Sequence, residues 1–342
     1  MPKAELHLHL DGSLRPATAL ALARERGLAD LPPDVSGMRD RLVAPRRCAD
    51  QAELLEAFDL PIALLQDADA LARISKEMVE DVASDGTVYA EVRWAPSLHR
   101  ERGLPLADGI AAVVEAGNEA AAAAGIHVRF IAVALRTHTP AVATEVAHAA
   151  LAFADEGLTG FDIAGVERDA PDPRIFAEAI EIARASGLGI TCHAGEWGGS
   201  RQVWQALEIE PWRIAHGSPA ADDPSLMREL TERDVTLDIC PTSNLQIGLG
   251  SADHDASLPR LLRAGVPVTI NTDDRTVSDL TLVRELQDAI EQLGLTSGEV
   301  VRAMRRAFAV AFLHHHEELR AELQQGFEAW LAEHPAPPIA QS

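Results

Sequence analysis

Four short segments concentrate the side chains that hold metal ions and move protons. The first reads Leu6-His7-Leu8-His9-Leu10-Asp11-Gly12. Successive side chains on a strand point to opposite faces, so His7 and His9 share one face and Leu6, Leu8 and Leu10 the other. The second segment, Cys192-His193-Ala194-Gly195-Glu196, offers a third imidazole and a carboxyl that a glycine lets bend back over a pocket. Arg213-Ile214-Ala215-His216-Gly217 supplies one more histidine, and Asn271-Thr272-Asp273-Asp274 two adjacent carboxylates. Two neighbouring carboxylates do not readily reach one ion from a strand. One is expected as a ligand and the other as a contact to substrate.

Three imidazoles and a carboxylate, with one position left open, form a donor set suited to zinc. Zinc lowers the pKa of a bound water towards ~7, which provides a nucleophile at neutral pH. Hydrolysis then needs a base or orienting group near the water, for which His216 is the candidate. It also needs an acid at the electrophile, for which Glu196 is the candidate. The only lysines are Lys3 and Lys76. Neither ends the fourth or fifth strand, so a carboxylated lysine bridging two metals is excluded and one metal per chain is expected. His314-His315-His316 is read as a helix end, because consecutive helical residues point in different directions. Glu91 and Arg93 share a strand face and are expected to pair inside a barrel. Cys192 and Cys240 are read as core residues.

The elements that must position these groups follow from the periodicity. Short apolar, β-branched runs at 4–9, 88–93, 127–135, 159–165, 189–194, 212–216, 235–240 and 267–271 predict strands. Helix-like stretches lie between them at 68–85, 107–124, 140–156, 172–186 and 223–233, with Gly86, Gly125, Gly157 and Gly187 at joins. Eight strands alternating with helices predict an α/β fold, a (β/α)8 TIM-like barrel. Segments 15–27, 51–64, 278–294 and 298–332 add N- and C-terminal helices. The candidate residues fall at the carboxyl ends of strands, where such barrels place their active sites. The Ala120–Ala124 run reads as the buried side of an outer helix. No linker divides the chain, so residues 1–342 are expected as a single domain with a frayed tail at 335–342.

Bulk properties bound the partners. Across 342 residues, 47% are hydrophobic and the formal net charge is -23. That charge disfavours nucleic acid and anionic membrane, which need a basic surface. The three cysteines, Cys48, Cys192 and Cys240, are too few for a disulfide framework and predict free thiols and a cytoplasmic setting. Met1-Pro2-Lys3-Ala4 runs into a strand-like segment without an apolar leader, so no signal peptide is expected, and no run is long enough to span a bilayer. Oligomeric state leaves no mark on the sequence.

Taken together, the ordered motifs resemble the adenosine deaminase family of the amidohydrolase superfamily, over roughly Lys3 to Phe312. The matching pieces include Leu6–Pro16, Val88–Arg93, Gly160–Gly165, His193–Glu196, His216-Gly217, Cys240–Asn244 and Asn271–Asp274. The resemblance implies zinc on His7, His9, His193 and Asp273. It implies that Glu196 protonates ring N1 of a purine and that His216 orients or deprotonates the attacking water. It further implies that Asp274 bonds N7, the Gly165 N–H meets N3 and Asp11 binds a ribose hydroxyl. The implied substrate is adenosine or 2′-deoxyadenosine, released as inosine or its deoxy form plus ammonia. Asp11 favours a nucleoside over the free base, because the adenine-specific branch tends to carry glutamate there. Another 6-aminopurine compound, adenine or aminodeoxyfutalosine, is the alternative, and a nucleoside-binding paralogue without activity is the alternative of another class. Departures from the family pattern are Val166 in Gly165-Val166-Glu167, Ala215 before His216, and Arg275 after Asp274. Arg275 reads either as a solvated loop charge or as a selector for an acidic substituent far from the purine.

Overall fold

The computed structural model describes residues 1–49, 51–167, 171–249 and 256–334. The tail at 335–342 lies outside them. Its strands are β1 Lys3–His9, β2 Thr87–Trp94, β3 His127–Leu135, β4 Leu158–Ala164, β5 Gly189–Ala194, β6 Arg213–His216, β7 Thr236–Ile239 and β8 Val268–Ile270. All neighbours are parallel and follow chain order from β1 to β8. Helices cross over between them, and the result is the expected (β/α)8 barrel. The seam is closed by residues of the candidate site. The His9 N–H donates to the Asp273 carbonyl at 2.8 Å, and the Asp273 N–H to the His7 carbonyl at 3.1 Å.

Parity works as the sequence predicts. Leu6 and Leu8 are fully buried against the helices, while Glu5 and His7 are buried inside the barrel. Midway down the interior, Arg93 Nη1 donates to Asp162 Oδ2 at 2.8 Å and Arg213 Nε to Asp238 Oδ2 at 2.9 Å, while Arg213 also pairs with Glu91. Glu91 and Arg93 therefore do pair inside the barrel, but not with each other. Residues two apart on a strand stand about 6.6 Å apart, whereas other strands bring opposite charges into contact. Below this layer Phe312 plugs the barrel, with the Arg213 guanidinium 3.8 Å from its ring centre. Gly160 and Gly189 leave the space it needs, since a Cβ there would meet Phe312 at 2.7 and 2.4 Å.

Three expectations need correction. The segment 298–332 is two helices, Ser297–Val310 and Glu317–Glu333. Ala311 turns to an extended conformation so that Phe312 can enter the barrel, which puts His314 and His315 in the connecting turn and leaves only His316 at a helix end, as the N-cap of Glu317–Glu333. His314 meets the Gly187 carbonyl. In the alanine run only Ala120 and Ala121 are buried: Ala122 and Ala123 rotate outward, and Ala124 is exposed where the helix ends at Gly125. Arg275 is neither solvated nor turned to a substrate. It is 9% exposed and lies between Glu5 and Asp85, with contacts of 3.4 and 3.3 Å. Both readings of Arg275 fall, and with them the ground for an acidic substituent.

Candidate metal and catalytic site

The C-terminal mouth of the barrel gathers every site residue singled out in the sequence. His7 and His9 come from β1, His193 from β5, His216 from β6, and Asp273 and Asp274 from the loop after β8. His9 Nε2 stands 3.3 Å from His7 Nε2 and 3.2 Å from His193 Nε2. Asp273 Oδ1 stands 3.0 Å from His7 Nε2 and 3.3 Å from His9 Nε2. Donors at 2.0–2.1 Å from one tetrahedral centre would stand about 3.3 Å apart. The four atoms therefore fit a single cation of zinc's size.

Protonation agrees with that fit. Burial, then the charge of Arg93, pushes His7 well below the usual histidine range. Burial brings His193 down to about 4, against the pull of Asp162. Burial opposes ionisation of Asp273 too, but His7 and His216 outweigh it and hold that carboxylate well below its usual range. Burial thus favours the neutral, metal-binding form of His7 and His193. Asp162 Oδ2 lies 2.9 Å from His193 Nδ1, which leaves Nε2 to face the cluster. His216, Cys240 and Asp273 form a second grouping that shares Asp273. Burial keeps the Cys240 thiol protonated, in line with its reading as a core residue.

His216 and Asp273 both adopt positive φ, 64° and 66°, in a region that L residues rarely occupy. Such strain persists where the surroundings over-determine the backbone, here at the barrel seam and beside Gly217. His216 Nδ1 sits 3.3 Å from Asn244 Oδ1, and Nε2 sits 3.7 Å from Asp273 Oδ2, so the ring faces the cluster edge-on to the ligands.

A cavity of about 280 Å³ opens onto these donors, lined among others by Asp11, Gly165, Glu196, His216 and Asp274. Its outer wall is apolar, with Leu54 and Phe58 of the helix Gln51–Leu64. A cavity of about 570 Å³ under the helix Leu282–Glu291 is larger but lies away from the cluster. Confinement, then the charges of Asp273 and Glu167, pushes the Glu196 carboxyl well above its usual range. Asp274 is driven up the same way, by burial first and then by Asp273, Asp11 and Glu196. Its Oδ1 is buried with no protein partner. Two neighbouring aspartates are thus shifted in opposite directions, Asp273 down and Asp274 up. Gly12 makes room for the second, because a Cβ there would sit 1.8 Å from Asp274 Oδ1. Gly165 has φ +93°, and among the described residues its N–H has no acceptor.

Three supporting residues were not singled out: Asp162 behind His193, Asn244 behind His216, and Glu167. Asp162 had a signal, an inward carboxylate on a barrel strand. Glu167 matches the family's usual Gly-Asp-Glu, but that match did not reveal its partners, which are set by how the loop after β5 folds.

A parallel barrel with a three-histidine, one-carboxylate cluster at its C-terminal mouth defines the class of metal-dependent amidohydrolases. The family model for adenosine deaminase matches residues 2–328. An adenosine deaminase of Enterococcus faecalis is 35% identical, covering 96% of this chain and 97% of its own. Among solved structures, an adenine deaminase from Arthrobacter aurescens superposes with a TM-score of 0.85 at 26% identity, covering 97% and 99% of the two chains. An amidohydrolase from Burkholderia ambifaria with bound Zn gives 0.87 at 26% identity, covering 97% and 91%. An Arabidopsis N6-mAMP deaminase gives 0.84 at 28% identity, covering 96% and 98%. The chain belongs to the adenosine deaminase family, whose members are hydrolases acting on C–N bonds. Among the described residues, no helix is long and apolar enough to cross a membrane.

Proposed function

We propose that the chain is a zinc-dependent deaminase of adenosine and 2′-deoxyadenosine, folded as one domain and working in the cytoplasm with one metal per chain. The observation that carries this reading is the placement of Glu196 and Asp274, both pushed up by burial and neighbouring acids, on a cavity beside four converged metal donors. His7, His9, His193 and Asp273 would hold the zinc, which supplies Lewis-acid activation of a water. Glu196 gives its proton to ring N1, which makes C6 electrophilic. His216, a neutral imidazole because burial lowers its pKa, accepts the proton from the attacking water. Asp274 donates its O–H to N7, the Gly165 N–H meets N3, and Asp11 accepts from a ribose hydroxyl. Water adds at C6, His216 passes its proton to the leaving nitrogen, the C6–N bond breaks to release ammonia, and the proton of the added hydroxyl goes to Glu196 as the C6 carbonyl forms. The products are inosine, or its deoxy form, and ammonia. Three buried cysteines with no disulfide among the described residues support a reducing compartment.

The lining also bears on substrate class. The described residues of the cavity include Asp11, Asp59, Glu196, Asp273 and Asp274 but no lysine or arginine. That suits an uncharged nucleoside better than a 5′-phosphate, which calls for cationic partners. A panel of adenosine, 2′-deoxyadenosine, adenine and adenosine 5′-monophosphate, read by loss of aminopurine absorbance, tests the reading. The two nucleosides should lead. A preference for the base or the nucleotide would overturn the substrate assignment. No turnover of any of them by metal-replete protein would favour a binding protein without activity.

A further inference from the structure

Glu167 is fully buried, and among the described residues no lysine or arginine hydrogen-bonds to it. Its Oε1 accepts from the Gly195 N–H at 2.6 Å. Its Oε2 accepts from the N–H groups of Trp197 and Gly198 at 2.6 and 2.7 Å. Three backbone donors of a single loop thus wrap around one carboxylate, an arrangement that concentrates partial positive charge on an anion. The Glu196 N–H is not among them. Its neighbours on both sides are drawn inward while its own side chain turns to the cavity. The loop can bend this way because Gly195 has φ +78°, and a Cβ there would meet Val203 at 2.7 Å. On the other side, the Glu167 N–H donates to Gln51 Oε1 at 3.3 Å, and Gln51 begins the helix that walls the cavity. Glu167 does not line the cavity itself.

We infer that Glu167 is a positioning residue, whose carboxylate templates the loop 195–199 and so fixes where Glu196 points. The inference rests on the reading of Glu196 as the proton donor to the substrate. A glutamine in place of Glu167 keeps one acceptor oxygen and sets an NH2 group against backbone N–H donors. The loop then loses at least one of its three anchors and Glu196 drifts. Displacement of a reacting group by about 1 Å costs on the order of 10²-fold in rate.

The test is a double-mutant cycle on the metal-replete protein, with Glu167→Gln, Glu196→Gln and the double variant, scored by kcat, KM and metal content. Glu196→Gln alone should lower kcat by about 10²–10⁴-fold. Glu167→Gln alone should lower kcat by about 10–10²-fold with KM nearly unchanged and full metal content. In the Glu196→Gln background the same change should cost less than about 2-fold, because the group it positions is already gone. An equal loss in both backgrounds would mark a merely structural role and overturn the inference, as would wild-type kinetics for Glu167→Gln. An unimpaired Glu196→Gln would instead overturn the acid assignment, and the inference with it. Should Glu167→Gln not fold, amide exchange on the unmodified protein decides. Protection of Gly195, Trp197 and Gly198 by about 10²-fold over free peptide supports the inference, and free exchange overturns it.

Discussion

Inside the barrel, the layer of Glu91, Arg93, Asp162, Arg213 and Asp238 sets cations against carboxylates. The layer above it, from His7 to Asp274, sets carboxylates against one another. In the lower layer Arg213 touches both Asp238 and Glu91, and Arg93 touches Asp162. In the upper layer Asp11, Glu196, Asp273 and Asp274 face one cavity with no arginine or lysine among its described lining residues. The two layers share a scaffold and differ in purpose. Paired buried charges contribute structure once formed, and breaking one pair is costly. Burial and the neighbouring acids push the Glu196 and Asp274 carboxyls up, while His7 and His216 hold Asp273 down. Asp162 joins the layers, bonded to Arg93 below and against His193 above.

This contrast can be broken from either side. The largest stability effect is expected below. Arg213→Met leaves Glu91 buried without its cation and Asp238 with only Arg93, 3.9 Å away, and should cost about 3–5 kcal/mol, read by denaturant unfolding. The donors above would keep their spacing in whatever fraction stays folded. In the upper layer, an effect on catalysis without loss of fold is expected at Gly12. The Gly12 carbonyl accepts from the N–H groups of Thr276 and Val277, so position 12 cannot withdraw from its neighbour. Gly12→Ala should push Asp274 aside and lower kcat by about 10²-fold, with metal content unchanged. Wild-type turnover for Gly12→Ala would remove Asp274 from the chemistry.

A smaller effect comes from Glu285, a buried carboxyl in neither layer. Burial raises its pKa to about 7, opposed by hydrogen bonds from Thr242. The folded state therefore holds a proton that the unfolded chain releases at its ordinary value of 4.5. Stability is fully present below that value and falls as pH rises from there to about 7. The slope is at most about 1.4 kcal/mol per pH unit. Glu285→Gln should flatten this part of the stability profile, as measured by unfolding at pH 5 and pH 8. An unchanged pH dependence would show that Glu285 does not titrate in this range.

Much of this was legible in the sequence, and the reasons are physical. A strand buried on both faces reads as a continuous apolar run, so 127–135 and 189–194 coincide with β3 and β5 to the residue. The site residues were legible because a barrel places the ends of its strands on one face. Short helices were less so. Ser200–Leu207 follows Gly199 with no side-chain cap, and only eight residues carry its period. Val35–Leu42 has a cap, Asp34 accepting from the Gly37 N–H, but only two buried residues. Contacts that depend on where loops come to rest left no local mark. Glu167 meets amides 28 to 31 residues away, and Arg275 meets Asp85 190 residues away. Strand parity placed Glu91 and Arg93 on one face but could not choose their partners across the barrel.

The central claim is that His7, His9, His193 and Asp273 hold one metal on which purine deamination depends. The most direct test is metal analysis and adenosine turnover on the same preparations of the unmodified protein and His9→Ala. The account expects one zinc per chain and equal amounts of inosine and ammonia from the first, and neither bound metal nor turnover from the second. A metal-free His9→Ala with undiminished adenosine turnover would contradict it.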